Sequence, residues 1–223
     1  MMTALLIGAA AGLGLRYALA CFPHSVNRTL QAEFHALDAT FTLRAESLLA
    51  PFPRWHWALY LAFGILASVV CQWRSAPGLD YALNVTALWL LAHIVLTDWR
   101  YQLLSSQHCV LLGIIGLLKV RFGLGLTAAE LCESVLLALV LSVVITSVSQ
   151  WVYQRCAFGE GDCYLLCALA CFTPSAEIPH LLLWASVLTL LVAGLVMWRQ
   201  ERRVQTLPFA PGLVAGFAIV SCY

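Results

Sequence analysis

The stretch Leu79–Leu104, LDYALNVTALWLLAHIVLTDWRYQLL, decides how the chain is read. Its run 79–97 is apolar over a length that suits a membrane, since a crossing helix needs about 20 consecutive apolar residues. The run then stops on Asp98, followed at once by Trp99 and Arg100. A carboxylate at the end of a membrane-length helix is costly to bury, so it is a functional candidate by default.

Working outward, similar runs recur at about 3–21, 55–73, 108–126, 132–152, 162–173, 180–198 and 208–222. The chain has 223 residues, of which 62% are hydrophobic and only 10% charged. A soluble domain would carry about 25% charged residues, so the excess apolar surface must face lipid. The expected fold is an all-α polytopic membrane protein with about eight transmembrane helices, forming a single membrane domain over 1–223. The sizeable polar segment is 22–54, expected to be a loop. The first run lacks a basic region before it and contains Arg16, so it is expected to be a retained helix rather than a signal peptide. The formal net charge of +1 argues against a nucleic-acid partner. The nine cysteines form no CxxC pair, and most lie in apolar runs, so neither a metal site nor a disulfide framework is expected.

Basic residues orient the helices. With the N-terminus outside, the inner loops hold Arg28, Arg44, Arg54, Arg100, Arg155, Arg199, Arg202 and Arg203, and the outer loops only Arg74, Lys119 and Arg121. This asymmetry favours an external N-terminus and makes 22–54 a cytoplasmic loop.

Of four aspartates, Asp38 lies in the polar segment and Asp80 at a loop edge. The other two border apolar runs: Asp98 ends one, and Asp162 starts another in GEGDCYLL, residues 159–166. Two runs, 108–126 and 132–152, lie between them, one going out and one returning, so both carboxylates fall on the same face, the cytoplasmic one in this orientation. Two carboxylates sharing a site cannot both ionise easily, which lets one act as base and the other as acid toward a water. Gly159 and Gly161 would permit an irregular backbone and the close approach of a substrate strand.

GEGD followed by an apolar helix resembles the GxGD motif of intramembrane aspartyl peptidases. TDWRYQLL, 97–104, resembles the first-aspartate motif of the type IV prepilin leader peptidase family, and TLPFAPGLVAG, 206–216, resembles a turn near that family's C-terminus. The resemblance runs over about 80–223, the expected peptidase core. It implies that Asp98 and Asp162 are the catalytic pair, with Gly159 and Gly161 shaping the second motif. It further implies a membrane aspartic endopeptidase of the bacterial inner membrane that removes basic leaders from prepilins or pseudopilins at the cytoplasmic face. Ser105 and Ser106 stand where the family usually has Pro-Asp, and Tyr164 where it usually has Lys. Many members also methylate the new N-terminus with S-adenosylmethionine, through a loop holding two CxxC pairs. Here 22–54 contains no cysteine, so this is a short form, and S-adenosylmethionine would enter only if methylation is retained.

Other features read as structural. Gly8 and Gly12 form a GxxxG packing surface. Cys163, Cys167 and Cys171 recur on one helix face as small hydrophobes. His93 and His108 flank Asp98 in sequence but suit packing or interfacial roles, and Arg16 snorkels. Two other functions use the same residues: a proton-coupled transporter, which would be expected to show inverted repeats that are not found here, and a catalytically silent homologue supported by Ser105, Ser106 and Tyr164.

Overall fold

The computed structural model describes residues 2–37, 48–53, 55–75, 78–154, 159–200 and 208–221. Asp38, Arg44, Arg54, Arg155, Arg202 and Arg203 lie outside these residues, as does the middle of 22–54. The described residues form eight α-helices and no strand. They are α1 Met2–Leu37, α2 Trp57–Arg74, α3 Leu79–Tyr101, α4 Ser106–Arg121, α5 Ala128–Tyr153, α6 Glu160–Ala170, α7 Ile178–Gln200 and α8 Ala210–Val220, with a 3-10 turn, Ser175–Glu177, before α7. Each expected apolar run therefore becomes a helix, and the protein is an all-helical polytopic membrane protein.

Two lengths differ from the sequence reading. Among the described residues five helices, α1, α2, α3, α5 and α7, are long and apolar enough to cross a membrane. At 1.5 Å per residue, the 16 residues of α4 reach about 24 Å and the 11 of α6 or α8 about 16 Å, short of a hydrocarbon core about 30 Å thick. Secondly, the segment expected to be a loop from residue 22 continues as α1 to Leu37, with Pro23 inside the helix. Hydropathy falls there while helix propensity does not: TLQAEFHAL is rich in Leu, Gln, Ala and Glu. Polarity ended the apolar run without ending the helix.

Membrane exposure explains the composition. Leu136, Leu139, Val140 and Val143 on α5, and Leu183, Leu190, Leu191 and Leu195 on α7, are all exposed. In water this would be an aggregation surface; against lipid it is the expected exterior.

The chain divides into two compact units, Met1–Leu96 and Thr97–Tyr223. In the first, α1 and α2 pack with almost no side chain between them. A Cβ on Gly8 would lie 2.7 Å from the Gly64 carbonyl oxygen, and one on Gly64 only 2.6 Å from the Gly12 nitrogen. The GxxxG of α1 is a helix-packing surface, as read from the sequence. Ser68 Oγ donates to the Ala4 carbonyl at 2.7 Å, Ser68 also hydrogen-bonds Tyr81, and Trp89 Nε1 donates to the Ala11 carbonyl at 3.1 Å. Asn27 ties 48–53 back to α1, since its side chain donates to the Leu49 carbonyl at 3.1 Å and accepts the Leu49 N–H at 2.8 Å.

In the second unit α6 is the central element. Leu165, Leu166, Ala168, Leu169 and Ala170 are buried, and α6 packs on α4, α5 and α8. Such burial suits a helix too short to cross alone. Glycines again set the spacing: a Cβ on Gly116 of α4 would come within 3.1 Å of the Cys171 carbonyl oxygen. On α8, a Cβ at Gly212 or Gly216 would meet the Ala185 and Leu181 carbonyl oxygens of α7 at 2.8 and 2.7 Å. At the start of α5, Thr127 and Glu130 form a capping box, with the Glu130 N–H reaching Thr127 Oγ1 at 3.3 Å and the Thr127 N–H reaching Glu130 Oε2 at 2.8 Å.

Candidate active site

α3 ends where the first candidate aspartate sits. Gln102, just past its last residue, takes φ 52°, a left-handed conformation uncommon outside glycine, and its N–H closes on the Asp98 carbonyl at 2.8 Å. The chain then runs without helix through Leu103 and Leu104 to Ser105, the N-cap of α4. Asp98 is 4% exposed, and its Oδ2 accepts the backbone N–H of Ala210 at 3.1 Å. Ala210 is the first residue of α8, so its N–H has no partner within that helix. A carboxylate therefore caps the positive end of α8.

The second aspartate stands in the first turn of α6. Gly159 is the N-cap (φ −71°, ψ 149°), which makes Asp162 the third helical residue. Acidic side chains are favoured at that place, where the open N–H groups of a helix point. Gly159 is extended, and neither Gly159 nor Gly161 has a positive φ. Gly161 permits a close approach. A Cβ there would stand 2.7 Å from Leu104 Cβ and 3.0 Å from its Cδ1. Glycine thus brings the start of α6 against the segment that follows Asp98. At Gly159 a Cβ would lie 3.3 Å from Asp162 Oδ2, so a larger residue would press on the carboxylate itself.

Both carboxylates line one cavity of about 220 Å³, together with Gln102, Leu103, Leu104 and the two glycines, with Pro208 and Phe209 before α8 completing it. A water takes about 30 Å³ in the liquid, so the space accommodates a peptide group and a water together. Asp162 Oδ1 is buried and has no hydrogen-bond partner among the described residues. Burial first, and then the nearby charge of Asp98, push the Asp162 carboxyl up to about 6, with the Gly159 backbone hydrogen bond offsetting part of the rise. Two acids in one partly dry cavity, one of them inclined to keep its proton near neutrality, can polarise a carbonyl and deprotonate a water.

The remaining sequence candidates fall elsewhere. His93 is buried against Trp89, with ring centroids 5.9 Å apart, and lies edge-on to Phe22 at 5.7 Å. Ser105, one of the two serines at the departing positions, stands at the N-cap of α4 without a side-chain cap bond, and its Oγ hydrogen-bonds His108 Nδ1 at 2.8 Å. Tyr164 is 54% exposed and does not line the cavity, which removes it from the carboxylates. Cys163, Cys167 and Cys171 are half-buried free thiols, with Cys171 Sγ directed to the Cys167 carbonyl at 3.5 Å. The group that sequence reasoning missed is the Ala210 N–H. A backbone donor leaves no residue-type signal, and only the prolines flanking it, Pro208 and Pro211, mark a turn there.

The profile of the type IV leader peptidase family matches residues 85–194, a segment holding Asp98, Gly159, Gly161 and Asp162. Over 131 residues the chain is 34% identical to the prepilin leader peptidase/N-methyltransferase of Haemophilus influenzae, covering 58% of this chain and 54% of that protein. The chain thus spans about half the length of the curated relative it matches. No solved structure matches it significantly. The segment 85–194 of this chain thus resembles the type IV leader peptidase family, by its match to the family's profile and by its likeness to this relative.

Proposed function

We propose that this protein is a membrane aspartic endopeptidase that removes the N-terminal leader from type IV prepilins or pseudopilins. Asp98 and Asp162 are its catalytic pair. The observation that carries the reading is the placement of these two carboxylates, one buried and one half-buried, on one cavity within the segment that the family's profile matches. One carboxylate takes a proton from water as it attacks the scissile carbonyl, and the other gives a proton to the carbonyl oxygen. Gly159 and Gly161 act on the geometry: Gly161 sets the distance between the two motifs, and Gly159 leaves room beside Asp162.

The site works at the cytoplasmic face of the bacterial inner membrane, with the N-terminus outside. The excess of arginines in the loops on that side supports this orientation. A pilin-like precursor, with a basic leader before an apolar helix, would present its scissile bond there. The peptidase step needs no cofactor. The N-methyltransferase part of the relative's name belongs to that protein; here S-adenosylmethionine would serve only a retained methylation step.

The test is co-expression with a type IV prepilin, following leader removal by gel shift. The parent chain is expected to shorten the precursor, and Asp98→Ala and Asp162→Ala each to leave it intact. Cleavage by both variants at the parent rate would refute the assignment.

A further inference from the structure

The two carboxylates are not held alike, and the difference assigns their roles. Asp98 accepts the Ala210 N–H from the open end of α8 at 3.1 Å; Asp162, in the first turn of α6 and with a backbone hydrogen bond from Gly159, still has one oxygen buried with no partner among the described residues. A hydrogen bond donated to a carboxylate favours its charged form, and the unpaired N–H groups of a helix start add partial positive charge. A buried carboxyl oxygen without a donor is poorly placed to carry charge but well placed to hold a proton facing the cavity. Resting on the peptidase reading above, we infer that the Ala210 N–H is a positioning group that keeps Asp98 as the ionised base, leaving Asp162 to hold the shared proton as the acid.

The sequence of α8 suits this task. Pro211 follows Ala210, and proline has no N–H to donate. The helix therefore presents a donor at its first residue and none at its second. The ring also fixes the backbone just beyond the bond that Asp98 accepts. The Leu213 N–H, which begins the internal ladder, bonds the Phe209 carbonyl at 3.1 Å. Gly212 and Gly216 hold α8 close to α7, so the donor sits on a braced element. Among the described residues, the two aspartates are the titratable side chains lining the cavity. Beside them Cys109 of α4 feels the charge of Asp162, α8 carries no titratable group, and Arg100 on α3 is exposed.

The resulting step balances. Asp98 takes one proton from water as its oxygen bonds to the scissile carbon, and Asp162 passes its proton to the carbonyl oxygen, giving a neutral gem-diol. In the collapse, Asp98 returns its proton to the amide nitrogen as the C–N bond breaks. Asp162 recovers a proton from one diol hydroxyl, which leaves acid, amine and the starting site.

The test is the pH dependence of kcat/KM for prepilin cleavage, whose acid limb reports ionisation of the base in the free enzyme. Ala210→Pro removes the donor at a helix position that favours proline. The acid limb is expected to move to higher pH by about one unit, a tenfold loss on that limb, as befits a charge-assisted hydrogen bond. Ala210→Ser keeps the N–H and leaves the limb in place. Should Ala210→Pro not fold, Pro211→Ala adds an N–H at the second position and is expected to move the limb the other way. A parent that cleaves while the limb stays fixed in the folded donor variant, or moves equally with Ala210→Ser, overturns the inference alone. A parent that does not cleave overturns the peptidase reading.

Discussion

Replacing Gly161 by alanine is a small chemical change with a large expected effect. The added Cβ would sit 2.7 Å from Leu104 Cβ and 3.0 Å from Leu104 Cδ1. Non-bonded carbons are most stable at about 3.5–4.0 Å, so the two segments must part by about 1 Å. Rotamer change cannot relieve this, because both closest atoms are Cβ carbons fixed to their backbones. Overpacking of this kind costs about 1–3 kcal/mol of stability. The catalytic effect is expected to be larger, because the segments forced apart carry Asp98 and Asp162. A misplacement of about 1 Å in a reacting constellation costs about 10²-fold in rate. Gly161→Ala should therefore lower kcat/KM for prepilin cleavage about 10²-fold while the protein still folds in detergent. The second change, Leu104→Gly, removes every atom within 3.4 Å of the new methyl. The double variant should recover much of the loss, a coupling that a double-mutant cycle reads directly. If Gly161→Ala cleaves within about twofold of the parent, or Leu104→Gly fails to rescue it, the close contact is not what makes glycine necessary.

Other consequences follow from the same geometry. Asp98→Asn and Asp162→Asn should each lower the cleavage rate by at least about 10²–10⁴-fold, measured by gel shift on folded protein. Cleavage should also decline as pH rises through about 6, where Asp162 gives up its proton; a profile flat from about pH 5 to about pH 8 would contradict this. The same raised carboxyl bears on stability. With the folded value above the ordinary carboxyl value of 3.8, ionisation is penalised only in the folded chain, so stability present at low pH is lost as pH climbs towards about 6. Asp162→Asn removes that penalty and should raise the melting temperature at neutral pH, whereas a lower one would refute the sign. In the first unit, Gly64→Ala places a methyl 2.6 Å from the Gly12 nitrogen and should cost about 1–3 kcal/mol, seen as a lower melting temperature in detergent.

How much of this was legible depends on what each feature is made of. Apolar runs report burial in lipid or protein, and each became a helix. They do not separate the two environments: residues 162–173 read as a span, yet the helix there, α6, is buried by protein on several sides. Hydropathy also loses a helix when it leaves the membrane, which is why α1 continues to Leu37 through residues read as a loop. The aspartates were legible because a carboxylate beside apolar sequence needs a reason, and the alternation of the runs put both on one side. The glycines were legible as special, but their purpose was not. The sequence reading had them admit a substrate strand, whereas Gly161 admits Leu104, a residue 57 positions earlier in the numbering of the chain.

The asymmetry of the pair lay further out of reach, and the reason is general. Side chains announce themselves by type; a backbone N–H is the same at every residue but proline. What singles out Ala210 is its position as the first residue of α8, with Asp98 arriving from 112 residues away. Among the described residues, the one other titratable side chain lining the cavity with Asp98 is Asp162, which leaves the two acids equivalent. Once the helix end is counted as a donor, they are no longer equivalent. A fold built almost wholly of helices has such ends as its ready source of positive potential inside an apolar protein. Here both carboxylates meet a helix start, but Asp162 keeps one oxygen buried without a partner among the described residues, and this difference, rather than an added lysine or arginine, is what separates base from acid in the inferred scheme.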